Sequence, residues 1–209
     1  MHSGHGRAVS ALFLLLLSLA GAAARAQNSS PQSGNLLIAD FDGGKIETVL
    51  GLALAPICDD QLGGTSDARM TLVHPGAQGS QGALRISFLL GEGFAYPFSG
   101  AWAFLGTEGL PMDLSAYKGL RFYARSQGTG AFRAGVRQNS APPGNYMAPF
   151  EVKPEWTLVE LPFDKLVPSP PTGKPSAPAT TSISSVGFSV SGRPPAKLDL
   201  EIDQVELYK

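Results

Sequence analysis

His74 and Cys58 are the side chains here best suited to nucleophilic or metal chemistry, and each stands alone. The other histidines, His2 and His5, lie in an N-terminal segment that reads as cleaved. A zinc-type site needs three or four imidazole or thiolate ligands at recurring spacings, which one of each cannot supply. A Ser-His-Asp triad would have to run through His74, which precedes Pro75 in a Gly-rich turn without a nucleophile-elbow motif. Cys58 has no base beside it and reads as a small apolar residue. Gly91-Glu92-Gly93 does not open a helix, so no phosphate cradle is expected. Carboxylates are not excluded by counting, because glycoside cleavage needs only two acids at the right separation. Glu92, Glu108, Glu151 and Glu201 are scattered, and solvation is the default reading of each. Asp40, Asp42, Asp199 and Asp203 flank the first and last strands, so a structural Ca²⁺ held by oxygens is the alternative to independent acids. No compact calcium-loop spacing occurs, so independent acids are favoured and no cofactor is expected.

Residue types suited to binding are better represented. Arg121, Tyr123 and Arg125 alternate along one segment, and Arg133 and Arg137 along the next. On one sheet face, planar cations interleaved with a ring suit hydroxyl-rich or acidic ligands, since guanidinium donates several fixed hydrogen bonds. The other reading is a solvated face in which Tyr123 stacks on Arg133. Phe94, Tyr96, Phe98 and Trp102 gather around Pro97 and Gly100. Such clusters are core in most proteins. At a sheet edge this one would frame a cleft, with Tyr96 and Trp102 as its ligand contacts.

These residues must be positioned by strands. Ala83 to Leu90 sets Leu84, Ile86, Phe88 and Leu90 against Arg85 and Ser87. The same alternation of period two runs through 119–126, 131–138, 185–191 and 198–203. Weaker strand signals cover 36–42, 69–74, 102–105, 146–152 and 157–161. No helical period is sustained beyond the N-terminus, and Val167 to Thr181, rich in Pro, Ser and Thr, reads as a surface loop. The pattern predicts an all-β, antiparallel β-sandwich. Within it, the segments at 119–126 and 131–138 are expected to form a hairpin across Gln127-Gly128-Thr129. Phe122 would then face Ala134, and Tyr123 would face Arg133, on one sheet.

The N-terminus reads as an address. His2, His5 and Arg7 precede an apolar run from Ala8 to Ala20, and Ala24-Arg25-Ala26 matches a signal-peptidase pattern. Residues 1–26 are expected to be a signal peptide, 27–35 a disordered lead-in, and 36–209 one domain. The run falls short of the roughly 20 apolar residues that span a bilayer, so export to the periplasm or medium without a membrane anchor is expected. Cleavage removes two of the 16 basic residues and none of the 17 acidic ones, taking the net charge from −1 to −3. That mild acidity offers no footprint for nucleic acid. A single cysteine excludes an internal disulfide.

Several segments in order carry a resemblance. They are Ala39-Asp40-Phe41-Asp42, Gly63-Gly64-Thr65-Ser66, Gly79-Ser80-Gln81-Gly82-Ala83-Leu84-Arg85-Ile86, and Phe94-Ala95-Tyr96-Pro97-Phe98-Ser99-Gly100-Ala101. Asp113-Leu114-Ser115-Ala116-Tyr117-Lys118-Gly119-Leu120-Arg121-Phe122, Trp156-Thr157-Leu158-Val159-Glu160-Leu161-Pro162-Phe163 and Leu200-Glu201-Ile202-Asp203-Gln204-Val205 complete the set. Together they resemble the complex I intermediate-associated protein family in its bacterial, exported form. The chain is also similar to the family 11 carbohydrate-binding modules, which share a galactose-binding-like jelly roll. The resemblance implies a non-catalytic β-sandwich, with relatives that assist respiratory complex I assembly or hold β-glucans on a sheet face. The leading expectation is a glycan-binding module using Arg121, Tyr123, Arg133, Arg137, Tyr96 and Trp102. An assembly or scaffolding factor with a protein partner is the alternative. A carboxylate-based glycoside hydrolase or lyase is the third.

Overall fold

Period-two alternation buries one side of a strand, and all five segments with clear alternation form strands. The computed structural model describes residues 34–141, 144–171 and 176–209, so the expected signal peptide and most of the lead-in lie outside it. In chain order the strands are β1 (Leu36–Ala39), β2 (Leu54–Cys58), β3 (Asp67–Val73), β4 (Ala83–Leu90), β5 (Phe98–Phe104) and β6 (Gly119–Arg125). There follow β7 (Phe132–Gln138), β8 (Gly144–Pro149), β9 (Thr157–Pro162), β10 (Val167–Ser169), β11 (Ile183–Ser191) and β12 (Ala196–Tyr208). The helical elements among the described residues are short 3₁₀ turns, such as Asp59–Leu62 and Phe163–Lys165.

Two antiparallel sheets result. Sheet 1 runs β3-β4-β12-β6-β9, with β1 also on β12, and sheet 2 runs β10-β8-β7-β11-β5-β2. The long β12 is central to sheet 1. One side holds β6 through residues 201–208, while β4 takes 196–202 and β1 takes 205–207 on the other. A bulge between Asp203 and Glu206 lets β12 change course there.

The core fills the space between the sheets. Leu84, Ile86, Phe88, Leu120, Phe122, Leu200 and Ile202 enter from sheet 1, and Ala101, Phe132, Val136, Val186 and Phe188 from sheet 2, all buried. Phe122 meets Phe188 of the opposite sheet edge-to-face, with ring centroids 5.0 Å apart.

Two expectations are corrected, and one strand is added. The hairpin joining 119–126 to 131–138 does not form, because β6 pairs with β12 and β9 while β7 pairs with β11 and β8. Phe122 and Phe132 do share the core, but they reach it from opposite sheets. Apolar residues that point inward look the same in sequence whether their strands lie side by side or face to face. The Pro-rich stretch opens as β10 rather than as loop, paired with β8 at the edge of sheet 2, where proline is tolerated. Leu54–Cys58, which lacks a clear alternation because Pro56 interrupts it, forms the other edge strand of that sheet.

Candidate functional site

A sandwich of this kind offers two outer faces, and the four arginines and one tyrosine singled out in sequence divide between them. Arg121, Tyr123 and Arg125 project from β6 on sheet 1, whereas Arg133 and Arg137 project from β7 on sheet 2. The single Arg-rich face expected from sequence therefore does not exist, and no Tyr123–Arg133 stack forms across it.

Outside sheet 1 the charges neutralise one another. In register across the sheet, Glu201 lies between Arg85 and Arg125. It accepts hydrogen bonds from Arg85 Nε at 2.9 Å and from Arg125 Nε at 2.6 Å. Arg121 donates to Glu206 at 2.6 Å and stands 3.8 Å from Glu160. Arg125 also lies over the Trp156 ring, 4.4 Å from its centroid. Opposite charges directly across an antiparallel pair stabilise it and occupy the donors a ligand would need. Tyr123 sits between Asp203 and Leu158 in this surface.

The acids at the ends of the chain serve the backbone. Asp203 is fully buried; its Oδ2 accepts from Ala77 N at 2.7 Å and from Ser80 Oγ, and its Oδ1 from Gln204 N at 2.7 Å. Burial pushes its carboxyl up to about 6, against the downward pull of those hydrogen bonds, and the nearby charge of Asp42 adds to the rise. Asp42 Oδ1 accepts from Gln81 N and Gly82 N, so both carboxylates pin the turn between β3 and β4. Asp40 accepts from Asp42 N, while Asp199 stands apart and accepts from Ser87. Among the described residues, no three carboxylate, imidazole or thiol groups gather in a way that could hold a metal ion.

Sheet 2 presents a different surface. Its two central strands carry Ser185, Gly187 and Ser189 from β11 and Arg133, Gly135 and Arg137 from β7 on the outer side. Phe98, Trp102 and Phe104 of β5 flank them on one side, and Asn145 and Met147 of β8 on the other. None of the strand residues projecting from this face is acidic. Gly187 is required here, because a Cβ would stand 2.4 Å from Cδ2 of the Trp102 ring, which lies across it. Trp102 is thus on the outer side of sheet 2 but is only 4% exposed, held against the sheet rather than standing free. Tyr96 lies in the loop leading into β5, is 80% exposed, and touches Phe94 edge-to-face. Buried Asp59 anchors that loop by accepting from Ser66 N, Ser66 Oγ and Phe98 N.

One cross-strand row of this face stands out. Ser169, Asn145, Arg137, Ser185 and Phe104 lie side by side on β10, β8, β7, β11 and β5. Arg133 reaches into the same row by donating to Ser169 Oγ at 3.3 Å. Ser185 Oγ and Asn145 Oδ1 are buried without any hydrogen-bond partner. Sequence reading missed Asn145, Ser169 and Ser185. The alternation of Ser185, Gly187 and Ser189 against Val186, Phe188 and Val190 did mark an outer face cleared of bulk, but cross-strand neighbours are not written in sequence. An apolar notch lined by Leu36, Val49, Leu50, Phe104, Leu105 and Met112 contains no titratable group.

Comparison with known proteins agrees with this architecture. A family model described as complex I intermediate-associated protein 30 matches residues 52–202. None of the curated proteins compared with the chain matches it. Among solved structures, the fold is similar to a family 11 carbohydrate-binding module of a cellulosomal cellulase from Clostridium thermocellum. That match has a TM-score of 0.62 and 16% identity, covering 84% of this chain and 94% of that one. A family 11 module from the same organism, in complex with a β-1,3-1,4-mixed-linked tetrasaccharide, gives a TM-score of 0.59 and 15% identity over 83% and 95% of the two chains. A family 30 carbohydrate-binding module of another cellulosomal cellulase of that organism gives 0.54 and 15% over 84% and 97%. The shared fold is the jelly-roll β-sandwich.

Proposed function

The chain belongs to the complex I intermediate-associated protein 30 family, and from that premise and its two unlike faces we propose that it is an exported module that binds glycans on the outer face of sheet 2. The observation that carries this reading is the contrast in polar satisfaction. Sheet 1 occupies its arginines with Glu201, Glu206 and Glu160, whereas sheet 2 leaves buried polar atoms and two guanidiniums on one small-residue strip. Polar groups buried without partners are rare in native proteins, and they mark places where a ligand supplies the missing bond. Flanking, partly exposed rings at Phe98 and Phe104 offer apolar walls against which sugar C–H faces pack. The similar solved folds are named carbohydrate-binding modules, and one is in complex with a tetrasaccharide, which supports the same ligand class here. The N-terminal signal pattern supports export of the module.

Family membership favours a second reading, in which the same face holds another protein during assembly. A glycan array separates the two. Binding is expected to at least one glycan class and to fall by about tenfold or more in Arg137→Ala, the equivalent of roughly 1.4 kcal/mol. Tyr123→Ala, on the opposite outer face, leaves binding unchanged. An array with no bound glycan counts against the proposal and leaves the assembly reading standing. Loss of binding in Tyr123→Ala but not in Arg137→Ala would assign the site to sheet 1.

A further inference from the structure

We propose that the row Ser169–Asn145–Arg137–Ser185 takes an acidic sugar, a uronate unit that carries a carboxylate beside free hydroxyls. This inference rests on the glycan-binding reading and names the class of glycan.

The charge distribution is its first support. All 17 acidic residues of the chain lie within the described residues, and none forms an ion pair with Arg133 or Arg137. The arginines of sheet 1 face the opposite situation, with Glu201 shared by Arg85 and Arg125 and with Glu206 and Glu160 beside Arg121. Two cations brought to one row without an acid repel each other unless a ligand compensates them. Burial lowers the pKa of the half-buried Arg133 guanidinium from its ordinary value, as expected of a cation that has lost water without gaining a counter-charge. A carboxylate is the anion that matches the guanidinium fork, through two parallel N–H···O bonds.

The second support comes from the neutral atoms in the same row. Ser185 is 1% exposed, and its Oγ, like Asn145 Oδ1, has no partner. Asn145 Oδ1 can only accept, and the serine hydroxyl can both donate and accept. A simple anion such as sulfate or an isolated carboxylate offers Asn145 Oδ1 no donor. A sugar bearing hydroxyls next to its carboxylate satisfies all three kinds of group at once. Gly135 and Gly187 are adjacent on β7 and β11, and the Trp102 ring lying across Gly187 bounds this row on its β5 side.

The test uses the full-chain protein in affinity electrophoresis against polygalacturonate, the same polymer after reduction of its carboxyl groups, and a neutral mixed-linked β-glucan. Binding to polygalacturonate is expected, weakening as salt rises and dropping by about tenfold or more on carboxyl reduction and in Arg137→Gln. Arg133→Lys, which keeps the charge but loses the fork, should bind with intermediate strength, and unchanged melting curves confirm that both variants fold. If the neutral glucan or the reduced polymer binds as tightly as polygalacturonate and the arginine variants change nothing, the acidic-sugar inference fails while the glycan reading stands. If none of the three polymers binds, both fail. Binding to poly-glutamate but to none of the polysaccharides would assign the row to an acidic protein partner and likewise overturn both.

Discussion

Burial turns Asp203 from an ordinary surface acid into a group that titrates near neutrality, although it keeps three hydrogen-bond donors. Its folded-state value of about 6 lies above the ordinary 3.8, so between those values the folded protein holds a proton that the unfolded chain releases. The group therefore contributes most stability below about 3.8 and loses that contribution as pH rises through about 6. A carbon-detected NMR titration should find the Asp203 carboxyl midpoint near 6. In Ser80→Ala the midpoint should move further up, because a donor to the ionised form has gone. A midpoint in the usual carboxylate range would mean that solvent reaches the group. The existence of Asp203 was legible in sequence, as was its place on the outer side of the last strand. Its burial was not, because the turn that covers it, Ala77 to Gly82, comes from a segment more than a hundred residues earlier.

At the scale of elements, β11 shows how a strand serves two surfaces at once. Val186, Phe188 and Val190 enter the core, while Ser185, Gly187 and Ser189 form the outer side, where Gly187 makes room for the Trp102 ring. Gly187 is the most constrained of these, since a Cβ would collide with the six-membered part of the Trp102 ring at 2.4–2.6 Å. Gly187→Ala must then displace the ring, and overpacking of this sort costs about 1–3 kcal/mol. In a Trp156→Phe background, where Trp102 is the remaining indole, its fluorescence should shift to longer wavelength as the ring becomes wet. Ser189→Ala, on the same side of the same strand, should change stability by no more than about 0.5 kcal/mol. Equal effects in the two variants would show that the ring has room to move. Sequence alternation located β11 and sorted its two sides correctly. It could not show which side chain of β5 lies across Gly187, because that depends on a register set by backbone pairing.

For the whole molecule, the arrangement separates a neutralised surface from one with uncompensated cations, and export would set both in contact with an extracellular medium. No helix among the described residues is long and apolar enough to cross a membrane. N-terminal sequencing of the protein recovered outside the cytoplasm is expected to read from Gln27. An intact Met1 would contradict both cleavage and the placement of the module. Residues 52–202 fall under one family model, and the sandwich accounts for that span as a single pair of sheets.

Sequence alone determined the fold class, most strand positions and the inward sets of the five clearly alternating strands, because period two is a local property that hydrophobic burial imposes on neighbouring residues. It also bounded the His- and Cys-based sites the chain can assemble, since the sequence holds three histidines and one cysteine. Only the tertiary structure decided which strands share a sheet. β6 and β7 follow one another in sequence and alternate in the same way, yet their backbones pair with different partners, which sends Arg121 and Tyr123 to one outer face and Arg133 and Arg137 to the other. The physical reason is that an inward-facing Phe gains the same burial from a neighbour in its own sheet as from one across the core. Pairing is settled instead by backbone hydrogen bonds between distant segments. The row of Asn145, Arg137 and Ser185 exists only because of those bonds.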